Sequence, residues 1–562
     1  MRIDGGHSAT GRAAAGPRLG RADPAGAVRL QILAAGLLVG LIGLPLARLL
    51  AVALGGGASA VLASLTDPAV SGAVTNSAWT AAVVAVLAVA AGTVVALATE
   101  RGGLPGRGWL RAGILLPLLC PPFVTAFGWT RAYGPRGLTD QGVGLALPGL
   151  YGPLGIVLVL TVSAVPLAWL IVAGALASRV EPDAERAARA AGAGSWTALR
   201  TVTLPLLRPA ILSALVVTFV FAINAFGVPA ILGTPAGFAT ITTRLYQDLA
   251  RSSDPAAFVE AAVLAATLVV VALAVVGPAD AWLTGRAAGR TGETAGSQAG
   301  ARSGTGPEST RRRVMATGLA AAIVLLTIVP LVAVLLTALT RAVGLAPVPA
   351  NWTLANFGEA LDRRFADGLV RSLVLAFAAA TIVLPLGGLL AIVGRRGRGG
   401  GTLRTAATLG FALPGSALAI AVLLAYGGLL RDTLAIILVA YVAKFWALGQ
   451  RQVAGSIDRL PADVVRAARA SGAGPIVALR SIVVPLLRPS LVAGWLIVFL
   501  FALHELTMSS LLYGPRTATL SVVVLNAQQL GDPTVSAALA ILLVGLIGIV
   551  GLPLAVVARR RT

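Results

Sequence analysis

One lysine, one cysteine and two histidines are all that 562 residues contain of those types. A single cysteine, Cys120, cannot close an intramolecular disulfide or build a thiolate metal cluster. The single lysine, Lys444, lies in AYVAKFWALGQ with no glycine-rich stretch ahead of it. A GxxxxGK[ST] loop needs its lysine to reach nucleotide phosphates, so the chain supplies no site of that kind. In HELTM, Met508 stands where an HExxH zinc motif has its second histidine, which removes the metalloprotease reading. No other nucleophile–base pair or metal-ligand set is visible, so the sequence does not read as a membrane enzyme. Charge is also scarce: 12% of residues are charged, against roughly a quarter in water-soluble domains.

Apolar residues fill the space. They make up 57% of the chain, and the mean hydropathy is +0.88. Twelve stretches are each long enough to cross the ~30 Å hydrocarbon layer as a helix. They fall near 28–53, 75–98, 109–132, 153–177, 209–233, 258–283, 314–339, 369–393, 405–428, 433–453, 489–512 and 536–558. The lipid bilayer is therefore the chain's first partner. The opening stretch is too long for a signal-peptide core and reads as a retained helix, preceded by a basic tail over 1–26.

The formal net charge is +22, and its placement argues against nucleic acid. With a cytoplasmic N-terminus, 32 of the 44 basic residues fall inside and ten outside, leaving Arg48 and Lys444 within spans. Such an arginine bias on the cytoplasmic side sets membrane topology and puts the C-terminus inside too. Arg48, near the outer end of the first stretch, is expected to reach outward, and Lys444 to reach toward the cytoplasmic surface. Cys120, followed by Pro121-Pro122, is expected to be a small buried side chain.

Residues 285–313 are rich in Gly, Ser, Thr and Arg and read as a flexible cytoplasmic linker. It separates a first six-helix unit, 27–284, from a second, 314–562. An even span count returns each unit to the side it started from, so the repeats are parallel.

The two halves agree best where they are least lipid-like. DAERAARAAGAGSWTALRTVTLPLLRP from Asp183 and DVVRAARASGAGPIVALRSIVVPLLRP from Asp463 share 17 of 27 positions. Both lie between the fourth and fifth spans of their half, on the expected cytoplasmic face. Ala184, Ala187, Ala188 and Ala191 recur at helical spacing, as do Val464, Ala467, Ala468 and Ser471. Gly192 and Gly472 are placed to end that helix in the left-handed conformation. Ser195 is then a candidate N-cap for a second helix, and Pro475 a first-turn residue. A small-residue face with basic flanks suits docking by another protein. The alternative, an amphipathic helix resting on lipid headgroups, normally carries larger apolar anchors.

These residues resemble the cytoplasmic signature of ABC-importer permeases: Glu-Ala-Ala, three residues, Gly, nine residues, then Ile-x-Leu-Pro. The matching positions are Arg186, Ala187, Ala188, Gly192, Val202, Leu204 and Pro205 in the first copy. In the second they are Arg466, Ala467, Ala468, Gly472, Ile482, Val484 and Pro485. Arginine stands in place of the signature glutamate both times, with Glu185 adjacent in the first copy only. The resemblance implies an all-α polytopic inner-membrane protein of twelve transmembrane helices. Each six-helix repeat would carry a coupling helix that docks on a cytoplasmic ATPase subunit, two copies in all. ATP and magnesium would be used on those subunits, with no cofactor or metal on this chain. An extracytoplasmic binding protein would deliver the cargo. The fused form and the strings FAINAFGVPAILG and FALHELTMSSLLYGPRTATL are most similar to ferric-iron permeases, with thiamine permeases next and phosphonate or polyamine permeases also open.

Ionisable and polar groups inside a membrane are costly and are functional candidates by default. Asn224, Lys444, His504 and Glu505 are those candidates for the translocation path. His504 and Glu505 read equally as a cation-facing pair or as a structural pair satisfied between helices. A secondary carrier of two six-helix halves is the competing class; ERGGLPGR from Glu100 resembles the short basic loop of such carriers, but the duplicated loop has no purpose there.

Overall fold

The computed structural model describes residues 24–179, 182–250, 255–287, 307–394, 412–458 and 474–559, with 406, 410 and 467 singly. Among them every regular element is a helix, apart from one isolated bridge between Thr340 and Trp352. Ten helices are long and apolar enough to cross a membrane. Half one supplies Val28–Ala53, Pro68–Arg101, Pro153–Ser178, Ser195–Ile223 and Ala256–Ala279. Half two supplies Thr310–Leu339, Phe365–Val393, Leu434–Ile457, Arg480–Leu503 and Pro533–Gly551.

The third expected span of each half departs from a straight helix. In half one it is Arg107–Leu119 and Pro122–Val143, bent by 103°. Cys120 and Pro121 between them are extended, at φ −101°, ψ 121° and φ −55°, ψ 136°. A residue before proline is pushed out of the helical region, and each proline removes a donor. In half two the counterpart is the 16-residue helix Gly415–Leu430, entered through an extended Pro414. The twelve continuous spans expected from hydropathy thus become ten, plus two that proline interrupts. Cys120 is buried.

Proline also explains four π-helical turns. They are Val39–Gly43, Leu199–Thr203, Val324–Ile328 and Leu479–Val483. Each ends two residues before a proline: Pro45, Pro205, Pro330 and Pro485. A proline in a helix lacks the N–H for its i−4 carbonyl and its ring collides with that carbonyl; the wider π turn relieves the collision. In this register Leu44 N–H bonds the Val39 carbonyl and Val329 N–H bonds the Val324 carbonyl. The next carbonyls, Gly40 and Leu325, face positions 45 and 330, where no N–H exists.

Those two carbonyls are satisfied from the opposite half. The Tyr426 hydroxyl, on the third helix of half two, donates to Gly40 O. The Tyr133 hydroxyl, on the third span of half one, donates to Leu325 O. Trp129 Nε1 donates to the adjacent Leu326 O at 3.3 Å. Packing follows the same exchange. Leu44–Ala53 lies against Gly415–Leu430, and Val329–Leu339 lies against Pro122–Tyr133.

Within each half the second and fourth spans cross at glycine. A Cβ at Gly92 would sit 2.6 Å from Ala168 Cβ, and one at Gly387 would sit 2.5 Å from Gln450 N. Small residues let membrane helices approach to backbone contact where no hydrophobic force drives them together. The second span also anchors the helix that precedes the last span. Ser77 Oγ accepts from Ile241 N in half one, and Ser372 Oγ from Leu520 N in half two, both at 2.8 Å.

At the end of the bundle opposite the duplicated loops, half one carries a charge cluster. Arg244 on Ile241–Ala250 pairs with Asp248 at 3.1 Å and with Glu260 at 2.8 Å. Burial pushes the Asp248 carboxyl up to about 6, against the pull of Arg244, and the Glu260 charge adds to the rise. The folded protein therefore holds this proton to higher pH than the unfolded chain does. The stability it contributes is present below the ordinary value of 3.8 and is lost as pH rises through about 6. Asp248→Asn is expected to flatten the pH dependence of the unfolding midpoint across that window; identical profiles for variant and parent would contradict the assignment.

Tyr133→Phe and Tyr426→Phe keep the ring and remove only the donor. Each is expected to lower stability in detergent or bicelles by about 0.6 kcal/mol, and by no more than about 1.7. Unchanged unfolding in both variants would mean that the freed carbonyls find other partners.

Candidate functional site: the duplicated loop and the paired helix breaks

The first copy of the duplicated element begins with the helix Pro182–Ala190. Gly192 ends it at φ +89°. Its own N–H bonds Arg189 O and the N–H of Ala193 bonds Ala188 O, each at 3.0 Å. That left-handed turn is what the glycine was expected to provide. The alanine stripe divides: Ala184 and Ala188 are half-buried, whereas Ala187, Ala191 and Arg186 are exposed. The next helix is Ser195–Ala198. Its cap is Gly194, without a side-chain bond, so Ser195 is the first helical residue and not the N-cap expected. Trp196 beside it is 70% exposed, an anchor-sized group the alanine argument overlooked. Pro205 follows the π turn Leu199–Thr203 inside the continuous helix Ser195–Ile223, and the wider turn makes room for its ring.

In the second copy Ala467 is helical and exposed, while Arg466, Ala468 and Gly472 lie outside the described residues. From Gly474 the plan of the first copy returns. Pro475–Ala478 is helical, a π turn covers Leu479–Val483, and Pro485 enters Val484–Leu503. Pro475 does open its helix, as expected.

Glu185 is the group that sequence reasoning set aside. Its side chain is 16% exposed, and Arg101 Nη1 lies 2.8 Å from Oε2. The Thr203 hydroxyl donates to Oε1, and Arg189 Nη2 stands 3.9 Å away. Arg101 ends the second span and Thr203 ends the π turn. One carboxylate thus ties the loop helix to two membrane elements through charge-assisted bonds. The second copy has Val465 and Val483 at the matching positions, where neither side chain carries a carboxylate or hydroxyl. The sequence signal was available: an acidic residue lies next to the arginine of a strongly basic motif.

The fifth span of each half, expected as 209–233 and 489–512, is broken. Leu204–Ile223 stops before Asn224, and a short helix Gly227–Leu232 follows. Val484–Leu503 stops before His504, and Thr507–Leu512 follows. Irregular backbone at this depth is tolerated only where protein encloses it and its polar groups are met. The two breaks adjoin: a Cβ at Gly227 would lie 3.1 Å from Leu506 of the other half.

The four candidate path residues gather around these breaks without forming a single cluster. Asn224 Nδ2 donates to Val220 O at 2.7 Å, and its Oδ1 is buried with no partner. His504 faces the Phe501 ring at 5.8 Å, and its Nδ1 is likewise buried and unmatched. Glu505 does not pair with His504. Its carboxylate accepts from Met508 N at 2.9 Å and Ser509 N at 3.0 Å, capping Thr507–Leu512. Ser509 Oγ in turn meets the Tyr441 hydroxyl at 2.7 Å. A carboxylate at a helix start meets unpaired N–H groups and the positive end of the dipole. Half one has Ala225 at the Glu505 position, and its short helix has no side-chain cap. Lys444 does not reach to the surface as expected. Its Nζ donates to Leu413 O, the carbonyl at the proline break of the third helix, and its charge faces Glu505. The carbonyl it meets is set free of helix bonding at the extended Pro414 break. Arg48 is exposed.

Comparison with known proteins agrees with this duplicated plan. The sequence pattern of the binding-protein-dependent transport system inner membrane component matches twice, over residues 88–279 and 383–562. A probable ABC transporter permease protein, y4fN of Sinorhizobium fredii, is 25% identical over 510 residues, covering 86% of each chain. The ferric transport system permease protein FbpB of Actinobacillus pleuropneumoniae is 24% identical over 74% of this chain and 61% of its own. The putrescine transport system permease protein PotI of Escherichia coli K12 is 31% identical over 37% of this chain and 78% of its own. Two copies of the pattern on a bundle of long apolar helices make this chain a member of the binding-protein-dependent inner-membrane components, the permease subunit of an ABC transporter and not itself an enzyme.

Proposed function

We propose that the chain is the permease of an ATP-driven importer of ferric iron, with its duplicated loops and both termini in the cytoplasm. Each loop docks one ATPase subunit, and an extracytoplasmic binding protein delivers cargo to the opposite end. The observation that carries the coupling role is the Glu185 junction. The helix Pro182–Ala190, with Arg186 and Ala187 exposed, is fastened by that carboxylate to the end of the second span. A push on the helix is therefore delivered to Pro68–Arg101, which crosses the fourth span at Gly92 in backbone contact. ATP binding by a partner can drive the cycle only through different affinity for the two states of this bundle.

Iron is supported by the names of relatives aligned over most of the chain: FbpB, and a putative ferric transport permease of Haemophilus influenzae that matches 81% of it. Polyamine and phosphonate are the competing cargoes, because relatives with those names match about a third of the chain at higher identity. The deciding experiment reconstitutes the permease with its ATPase and binding protein and measures ATP-dependent uptake of radioactive ferric iron, putrescine and 2-aminoethylphosphonate. Uptake of iron alone supports the proposal; uptake of either of the others replaces iron, and uptake driven by an ion gradient without ATP defeats the importer reading.

Gly192→Pro combined with Gly472→Pro is expected to abolish uptake and leave membrane insertion intact, because proline cannot adopt the left-handed turn. Normal uptake by that variant would count against docking. Glu185→Gln is expected to reduce cargo moved per ATP hydrolysed on the order of tenfold, the scale of one charged hydrogen-bond partner. Arg101→Gln should do the same, and the double variant no worse than either. An unaltered coupling ratio in Glu185→Gln would exclude the carboxylate from force transfer.

A further inference from the structure

A second feature lies at the other end of the bundle, where the two halves meet. An open crevice is lined by Arg131 and Arg136 of half one and by Leu336, Thr337, Thr340 and Val343 of half two. Arg131 lies against the Phe127 ring at 5.7 Å. Its Nε is buried and has no acceptor. The Tyr151 phenol is its side-chain partner, and no carboxylate among the described residues pairs with it. The nearby acid, Asp140, is committed elsewhere: its Oδ2 accepts from the backbone N–H of Arg136 at 2.7 Å. That bond fastens Arg136 in a left-handed conformation at φ +59°, which a non-glycine residue adopts only when its surroundings enforce it.

A guanidinium edge buried without an acceptor is unfavourable unless an anion completes it. The surroundings define what kind. Trp352, 42% exposed, donates from Nε1 to Pro347 O at 3.2 Å. An exposed, amphipathic tryptophan at a span end marks the headgroup level. Below it, Leu336 lines the crevice and Val332, one turn away, is exposed on Val329–Leu339, the helix that forms one wall. Basic groups thus sit at headgroup depth above an apolar strip.

We propose that this crevice binds the phosphate of an anionic phospholipid, held by Arg131 and Arg136, with its acyl chains along Leu336 and Val332. Arginine matches phosphate through paired N–H donors. The lipid bridges the halves two residues from Tyr133, whose hydroxyl already joins them, and so acts as a clamp on their relative position.

The test releases the full-length protein from nanodiscs of mixed phosphatidylcholine and phosphatidylglycerol into native mass spectrometry and counts bound lipid. The parent is expected to retain phosphatidylglycerol over phosphatidylcholine on the order of tenfold, given two arginines at the headgroup level. Arg131→Gln should erase that preference. Val343→Trp, which fills the crevice mouth from a largely exposed position and spares both arginines, should erase it too. Loss in both variants, with unchanged size-exclusion profiles, supports the site. Equal retention of the two lipids by the parent, or undiminished preference in both variants, overturns it. Adducts of inorganic phosphate, lost in Arg131→Gln, with no lipid preference would keep the phosphate chemistry and reject the lipid source. Variants that instead lose only the substrate-binding protein would overturn the proposal in favour of a protein contact.

Discussion

A proline inside a lipid-facing helix leaves a carbonyl that nothing in the hydrocarbon can satisfy, and much of this bundle is arranged around that constraint. The first span of each half carries such a proline, Pro45 or Pro330, and a π turn ahead of it. The carbonyls released there are met by Tyr426 and Tyr133 of the opposite half. Each first helix is thereby committed to packing on the other half's third helix. The same amino acid interrupts those third helices at Cys120-Pro121 and Leu413-Pro414, and Lys444 closes one of the gaps. Proline acts here as a specifier of partners, because each released acceptor can be paid for by only a few geometries.

The two halves repeat each other in backbone and differ in charge. Both have the glycine crossing, the serine that receives the helix before the last span, the π turn before the fifth span and the break within it. A carboxylate holds the loop helix in half one through Glu185, where half two has Val465. A carboxylate caps the short broken helix in half two through Glu505, where half one has Ala225. Each half is thus braced at one end of its fifth helix by an acidic residue that the other lacks. The repeat thus supplies a common backbone architecture, held by acidic groups at different places in its two copies.

Much of the fold was legible because hydropathy has the length scale of the membrane. The first span was expected over 28–53 and is Val28–Ala53; the fourth was expected over 153–177 and is Pro153–Ser178. Gly192 was legible as a helix stop because only a few residues accept a positive φ. The fifth-span breaks were not, since Asn224 and His504-Glu505 each interrupt an otherwise apolar string by one or two residues. Hydropathy averages over such a gap, and only the sequence of polar partners around it distinguishes a break from a helix. Lys444 was misread for a related reason: distance along its own helix was counted, whereas its partner is a carbonyl at a proline break on another helix. Glu185 stood outside the motif frame, and its partners Arg101 and Thr203 come from elements that no local pattern joins to it.

The bond from Tyr426 to Gly40 spans 386 residues of sequence. During synthesis the amino-terminal helix enters the bilayer long before the seat that completes it has left the ribosome. Until then its acceptor must be served by water, lipid headgroups or an insertase surface. This contact can therefore close only after the intervening chain has been made, and a chain stalled after half one leaves an unfinished helix open to pairing with another molecule.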